Sequence, residues 1–315
     1  MSTGVTKLLR ISRNVADLER SAAFYIERLG FAPLGDAAAD EALGALLGAP
    51  HGLKRQRLAC GAQHIELVET GAAAAPYPSD SASCDLWFQH FAIRCDDIQL
   101  AFEALYFAEP GIVLPQAISH NRHGQPAPIA LPVASGGDSD GSGIVAFKFR
   151  DPDGHPLELI QFGDGAHGGV GIDHSAISVA DADRSIAFYT RVLGLRLGHR
   201  QTNAGIEQQA LDGLSTDTVD VVALLPAREA SPHVELLAYR SPRGRIMPAG
   251  TTPLDIASDR LVLQVDDMKE IVDALTRHGA ALAFDGLPSS LLVRDPDGHF
   301  LMLVEEDGRN GLAGV

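Results

Sequence analysis

From Ile172 to Val179 apolar and polar residues alternate, the period of a strand with one buried face. A turn with Asp181 and Asp183 follows, then an amphipathic segment carrying Ile186, Phe188 and Tyr189, which stops at Gly194 before a second extended run. The same order recurs along the chain, giving four units at about residues 7–70, 86–162, 172–240 and 259–306. In the first, Leu18, Ala22 and Ile26 share one helical face at a spacing of four. Asp17 is placed to cap that helix, and Gly30 to end it in a left-handed conformation that a Cβ would oppose. Two RDPDGH segments, beginning at Arg150 and Arg294, are expected to form tight turns between paired strands. A strand-helix-strands unit of this size cannot bury its sheet face alone, so the four units are expected to pair.

Punctuation between the units is rich in Pro, Gly, Ala and Ser. The stretch 71–85 reads as a linker, and the Gly-rich joint 163–171 divides the chain into an N-terminal half, 1–165, and a C-terminal half, 166–315. With 71–85, the irregular segments 118–143 and 240–257 are expected to shape binding-site mouths. Residues 36–55 show no clear period.

Composition narrows the function classes. A formal charge of -16 argues against a nucleic-acid groove, which needs clustered Lys and Arg. No uninterrupted apolar run reaches about 18 residues, so no membrane span is expected. Cys60, Cys84 and Cys95 form no CxxC pair and read as small buried fillers in a reduced, cytoplasmic protein. The first residues lack the apolar core of a signal peptide. The expected partner is a small molecule. Because four units can satisfy their pairing within one chain, a monomer or a homodimer fits.

Three motifs recur in order: HxAIxVxD, FY…LG and RDPDGHxxEL. Together they resemble the vicinal oxygen chelate superfamily, which includes glyoxalase I, extradiol dioxygenases and bleomycin resistance proteins. The resemblance covers nearly the whole chain. It implies an α+β fold of four βαβββ modules paired into two cupped mixed sheets, each cup able to hold one metal. It also implies ligands from the first and last strand of each module. The first-strand positions, each seven residues before an Asp, are Arg10, His90, His174 and Arg260; the last-strand positions are Glu66, Glu158, Glu235 and Met302. Arg cannot ligate a cation, and a Met sulfur suits a hard or borderline ion poorly.

Pairing therefore decides the site. If module two meets module three, one cup collects His90, Glu158, His174 and Glu235, and the other collects Arg10, Glu66, Arg260 and Met302. If consecutive modules pair, Glu66, His90 and Glu158 share one half, with His174 and Glu235 in the other. The crossed arrangement suits Zn, Ni, Co, Mn or Fe. By the resemblance it implies a metal-dependent isomerase or lyase of glyoxalase type, with Glu158 or Glu235 as the base next to a carbonyl. The alternatives are an extradiol-type ring-cleaving dioxygenase and a metal-free small-molecule binding or resistance protein. Of the other polar residues, Glu66 reads as a solvated strand end, and His155 and His299 as structural turn residues. His120 and His123 read as loop residues, and Arg10 with Arg260 as scaffold or an anion site.

Overall fold

The computed structural model describes residues 4–49, 51–71, 73–106, 115–132, 143–163, 169–279 and 289–305. Residues 133–142 of the long irregular segment and 164–168 of the Gly-rich joint lie outside the described residues. Module one comprises β1 (Val5–Val15), α1 (Leu18–Leu29), β2 (Ala32–Pro33), β3 (Ala38–Asp40), α2 (Glu41–Leu47), β4 (Leu53–Cys60) and β5 (Gln63–Glu69). Module two follows with β6 (Gln89–Arg94), α3 (Ile98–Tyr106), β7 (Gln116–Ala117), β8 (Ile129–Leu131), β9 (Ile144–Arg150) and β10 (Pro156–Phe162). Module three is β11 (Gly171–Ser178), α4 (Ala182–Arg191), β12 (Arg196–Ala204), α5 (Ile206–Asp212), β13 (Thr218–Leu225) and β14 (His233–Ser241). The described part of module four is β15 (Arg260–Val265), α6 (Met268–Arg277), β16 (Ser290–Arg294) and β17 (Phe300–Glu305).

The fold is α+β, and the modules pair crosswise. One sheet runs β16-β17-β15-β1-β5-β4-β2, with β3 also on β4, and joins modules one and four. The other runs β12-β13-β14-β11-β6-β10-β9-β7, with β8 also on β9, and joins modules two and three. Each sheet thus takes one module from each half of the chain. At each centre two first strands meet antiparallel, β1 with β15 and β6 with β11, and each lies parallel to its own module's last strand. The registers match: Val262 lies opposite Arg10 as Ala176 lies opposite His90, and Arg260 opposite Ser12 as His174 opposite Ala92.

The repeated Asp after each first strand has a local cause. The side chains of Asp17, Asp97, Asp181 and Asp267 accept from Arg20, Leu100, Arg184 and Glu270 backbone N–H groups, capping α1, α3, α4 and α6. Gly30 ends α1 at φ 71°, where its N–H reaches the Tyr25 carbonyl. These four helices and the inner faces of both sheets share one apolar core, which includes Tyr25, Ile65, Phe91, Phe102, Ile172, Tyr189, Leu261 and Ile271.

The RDPDGH turns bind consecutive modules whose strands lie in different sheets. Asp153 pairs with Arg20 and accepts from Ser21 Oγ of α1, while Asp297 pairs with Arg184 of α4. Asp151 and Asp295 receive Tyr25 and Tyr189 hydroxyls at 2.8 and 3.2 Å. His155 and His299, both buried, lie 3.1 and 3.0 Å from those same carboxylates, so they hold the turns together. In the unpatterned stretch 36–55 the chain forms β3 and α2, whose Leu43, Leu46 and Leu47 pack on the cup face of the first sheet with Leu292 and Met302. Among the described residues no helix is long and apolar enough to cross a membrane.

Candidate metal centre

Four adjacent strands of the second sheet, β14, β11, β6 and β10, each deliver one residue singled out from sequence. Glu235, Ala176 and His90 form one lateral row; His174, Ala92 and Glu158 form the next. The rows are two residues apart, so their side chains emerge on the same face. Ala176 and Ala92 at the row centres are fully buried, and their methyl groups leave the space above them to the flanking side chains.

His90 Nε2 lies 2.8 Å from Glu158 Oε2. His174 Nε2 lies 3.8 Å from the same oxygen and 3.9 Å from Glu235 Oε1. One ligand atom each of His90, Glu158 and His174 fall within 4.8 Å of one another. Glu235 sits at the margin, more open to solvent than the other three. His174 Nδ1 lies 3.0 Å from Asp173 Oδ2 and donates to it, which leaves Nε2 as the free nitrogen. That Nε2 is buried without a hydrogen-bond partner, as is His90 Nδ1. A buried ring nitrogen turned toward two carboxylates, with its other nitrogen held by a third, matches a cation ligand with its supporting carboxylate. The donor set fits a borderline divalent ion.

Electrostatics separate the two histidines. Burial, helped by nearby Lys148, pushes His90 down to about 4 despite Glu158. Burial would also lower His174, yet Glu235, Asp173 and Glu158 hold it well above the usual imidazole range. Burial would raise the Glu158 carboxyl, but Lys148, His174 and His90 keep it well below the usual carboxylate range. Lys148 lies opposite Glu158 on β9, fully enclosed, with Nζ 2.6 Å from Asp212 Oδ1 at the end of α5. Asp212 also accepts from Gln208 and from the Tyr239 hydroxyl. Burial lowers Lys148, but Asp212, Glu158 and Glu235 raise it to about 12, so it stays a cation behind the cup.

The crossed pairing brings all four predicted residues together and keeps Arg10, Glu66, Arg260 and Met302 apart from them in the other sheet. The expectation that Glu66 is a solvated strand end is corrected: it is 1% exposed and meets Arg10, Arg55 and Arg57 at 3.2, 3.3 and 3.2 Å. Its neighbours are cations contributed by the adjoining strands, and the module alone gives no view of them. His120 and His123 lie beyond β7 and do not join the cup; His120 Nδ1 is 3.0 Å from the Ile118 carbonyl.

Sequence reasoning missed Asp173, Lys148, Asp212 and His233. Asp173, His174 and His233 form a second trio with ligand atoms within 4.8 Å, sharing His174 with the first. Asp173 and His233 carry a usable signal, since each stands one residue before or two before a singled-out position. Lys148 and Asp212 carry none that precedes knowledge of the pairing.

Comparison with known proteins places this architecture. Residues 7–159 and 171–303 both match the model of the Glyoxalase/Bleomycin resistance protein/Dioxygenase superfamily. The chain belongs to that superfamily. A relative from Brassica oleracea var. gemmifera, bearing the name "Putative lactoylglutathione lyase", is 27% identical over 196 residues, which is 62% of this chain and 57% of the relative. The chain thus spans a little over half the length of that curated relative. A glyoxalase I mutant structure from Zea mays aligns at a TM-score of 0.60 and 19% identity, covering 96% of this chain and 94% of the maize chain. A Bacillus subtilis structure described as a "putative dioxygenase" aligns at 0.57 and 13% identity, covering 99% and 88%. At these identities the two structures share the superfamily's fold, which hosts more than one chemistry.

Proposed function

We propose that this superfamily member is a metal-dependent isomerase or lyase of glyoxalase type, acting on a small substrate with adjacent oxygens in the cup of modules two and three. The observation that carries the proposal is the buried, unpartnered His174 Nε2, set between Glu158 and Glu235 with Asp173 behind it. His90, Glu158, His174 and Glu235 would hold a divalent ion, which when bound supplies Lewis-acid polarisation of two neighbouring substrate oxygens.

This chain's own residues divide the remaining work. Lys148 and the two imidazoles keep Glu158 ionised, which makes it a firm ligand and a weak base. Glu235 is less enclosed, at 16% side-chain exposure against 7% for Glu158. Glu235 therefore takes the proton from the carbon beside the carbonyl and returns it to the neighbouring carbon. Asp173 fixes the tautomer and ring plane of His174. Lys148, anchored on Asp212, keeps the enclosed site from carrying excess negative charge.

Metal analysis of the purified protein, with His90→Ala and His174→Ala beside it, tests the site. The wild type should carry one divalent ion per chain and both variants should lose it; full occupancy in both variants sinks the proposal. The name of the Brassica relative makes lactoylglutathione the first substrate to assay, in formation and in cleavage. Oxygen uptake with a catechol after anaerobic Fe(II) loading would transfer the site to ring cleavage. Ligand binding that survives a chelator, without turnover, would make the protein a binder.

A further inference from the structure

The cup of modules one and four repeats the other cup position for position. Arg10 stands where His90 stands, Glu66 where Glu158 stands, Arg260 where His174 stands, and Met302 where Glu235 stands. The charge is inverted. Four guanidinium groups, of Arg10, Arg55, Arg57 and Arg260, gather around Glu66 and Asp40. The guanidiniums oppose one another there, Arg57 and Arg55 against Arg10 and Arg10 against Arg260, and charge crowded inside a protein is costly unless something pairs with it.

The four are not equivalent. Arg260 is fixed: its Nη atoms donate to the Pro253 and Ser258 carbonyls, Ser12 Oγ and Asn14 Oδ1. Arg55 is shared between Asp40 at 2.6 Å and Glu66 at 3.3 Å. Arg10 differs from both. Its side chain is 8% exposed and its Nε lies 3.2 Å from Glu66 Oε1, out of line for a hydrogen bond. Its Nε is therefore left buried without a hydrogen-bond partner, although Glu66 attracts the guanidinium as a whole. A buried guanidinium whose Nε lacks a partner, in a cup crowded with other guanidiniums, is suited to be half of a bidentate pair.

We propose that the cup of modules one and four binds a compact oxyanion, a carboxylate or a phosphate, on the Arg10 guanidinium. Two oxygens of the anion accept from the Arg10 fork, Arg57 and Arg55 contribute field from β4, and Glu66 holds the guanidiniums in place. The site is independent of the metal centre, since its residues come from the other sheet.

Titration calorimetry on the full chain with sodium phosphate and sodium oxalate, at constant ionic strength, tests this. Wild type stripped of metal with a chelator, and His90→Ala treated the same way, should each bind one anion per chain with equal affinity. Arg10→Gln should weaken binding at least tenfold. Arg10→Lys, which keeps the buried charge and so protects the fold, should also weaken it because it loses the planar fork. Preference for phosphate assigns the site to phosphorylated ligands and preference for oxalate to carboxylates; either supports the proposal. Unchanged affinity in Arg10→Lys, loss of binding in His90→Ala, or no saturable binding of either anion overturns it.

Discussion

The two cups are built on one register and filled with opposite chemistry. In the second sheet the row centres are Ala176 and Ala92, and imidazoles and carboxylates converge above them. In the first sheet the same positions hold Val262 and Ser12. Val262 joins an apolar cluster with Leu292, Met302 and the leucines of α2, while Ser12 donates to Glu66 and accepts from Arg260. The covering helices diverge in parallel. The helix α2 brings leucines to its cup, whereas α5 brings Asp212, which accepts from both Lys148 and Gln208. A repeated backbone therefore fixes where side chains meet. What the meeting point does depends on the residues, and one duplicate has exchanged a cation-binding set for a cationic one.

The largest test of this divergence lies just beneath the first cup. Arg13 is fully buried and donates to Asp259, Tyr25 and Asp151, whereas the matching positions in the other modules are Ile93, Ile177 and Leu263. Arg13→Leu leaves two buried carboxylates short of a partner, and should cost about 3–5 kcal/mol. Denaturant unfolding should show it as a lower midpoint. An equal or higher midpoint would mean that the apolar solution of the other modules serves here too.

Next in size is the support of His174. Asp173→Ala should lower divalent-metal affinity about 10- to 100-fold, the range for loss of a carboxylate behind a ligating imidazole. Competition against a chromophoric chelator measures it. The matching residue in the first sheet, Asp259, serves Arg13 at 2.7 Å, so Asp259→Ala should reduce stability and leave metal affinity unchanged.

Acid stability should also distinguish the sheets' turns. Burial opposes ionisation of Asp151, but His155, Arg13 and Tyr25 hold its carboxyl below the ordinary range. Its contribution is then complete above the ordinary carboxyl value of about 3.9 and is lost as pH falls through the depressed folded value. His155 has the opposite sense. Against burial, Asp151 and Asp259 raise it, so its contribution is complete below about 6.5 and fades as pH rises through the folded value. Burial opposes ionisation of Asp295 as well, and His299 with the backbone N–H groups of His299 and Asp297 holds it below the ordinary range. Asp151→Asn should therefore flatten the acid limb of stability against pH more than Asp295→Asn does, as denaturant or thermal melts carried from neutral pH to about pH 2 would record.

Much of this was legible in the chain, for a physical reason. A strand position, an Asp cap seven residues later and a Gly-bearing turn are local, so four repeats of them reveal four modules. Chemistry favoured the crossed pairing without deciding it, because His90, Glu158, His174 and Glu235 make one coherent donor set only when modules two and three meet. Lys148 and Asp212 were hidden because their contact joins β9 to α5, 64 residues apart, and neither segment announces it. Glu66 was misjudged for the same reason, since Arg55 and Arg57 reach it only through the pairing of β4 with β5. Helix α2 lay in a stretch without clear period because its seven residues make too short a run to display one.

The smallest effect tests where the divergence stops. Arg20 and Arg184 tie α1 and α4 to Asp153 and Asp297 in the two RDPDGH turns, and each arginine side chain is about half exposed, at 49% and 48%. Exposed pairs of this kind contribute about 0.2–1 kcal/mol. Arg20→Ala and Arg184→Ala should thus each lower stability by an amount in that range, and by the same amount within error. Asp153 also accepts from Ser21 Oγ at 2.7 Å, so its turn keeps a second tie when Arg20 is removed. If Arg184→Ala proves clearly the more damaging, the hydroxyl carries the difference, and Ser21→Ala combined with Arg20→Ala should close the gap. Equal effects would confine the divergence to the cups and to Arg13 beneath them, leaving the contacts between consecutive modules as the part of the repeat that has stayed the same.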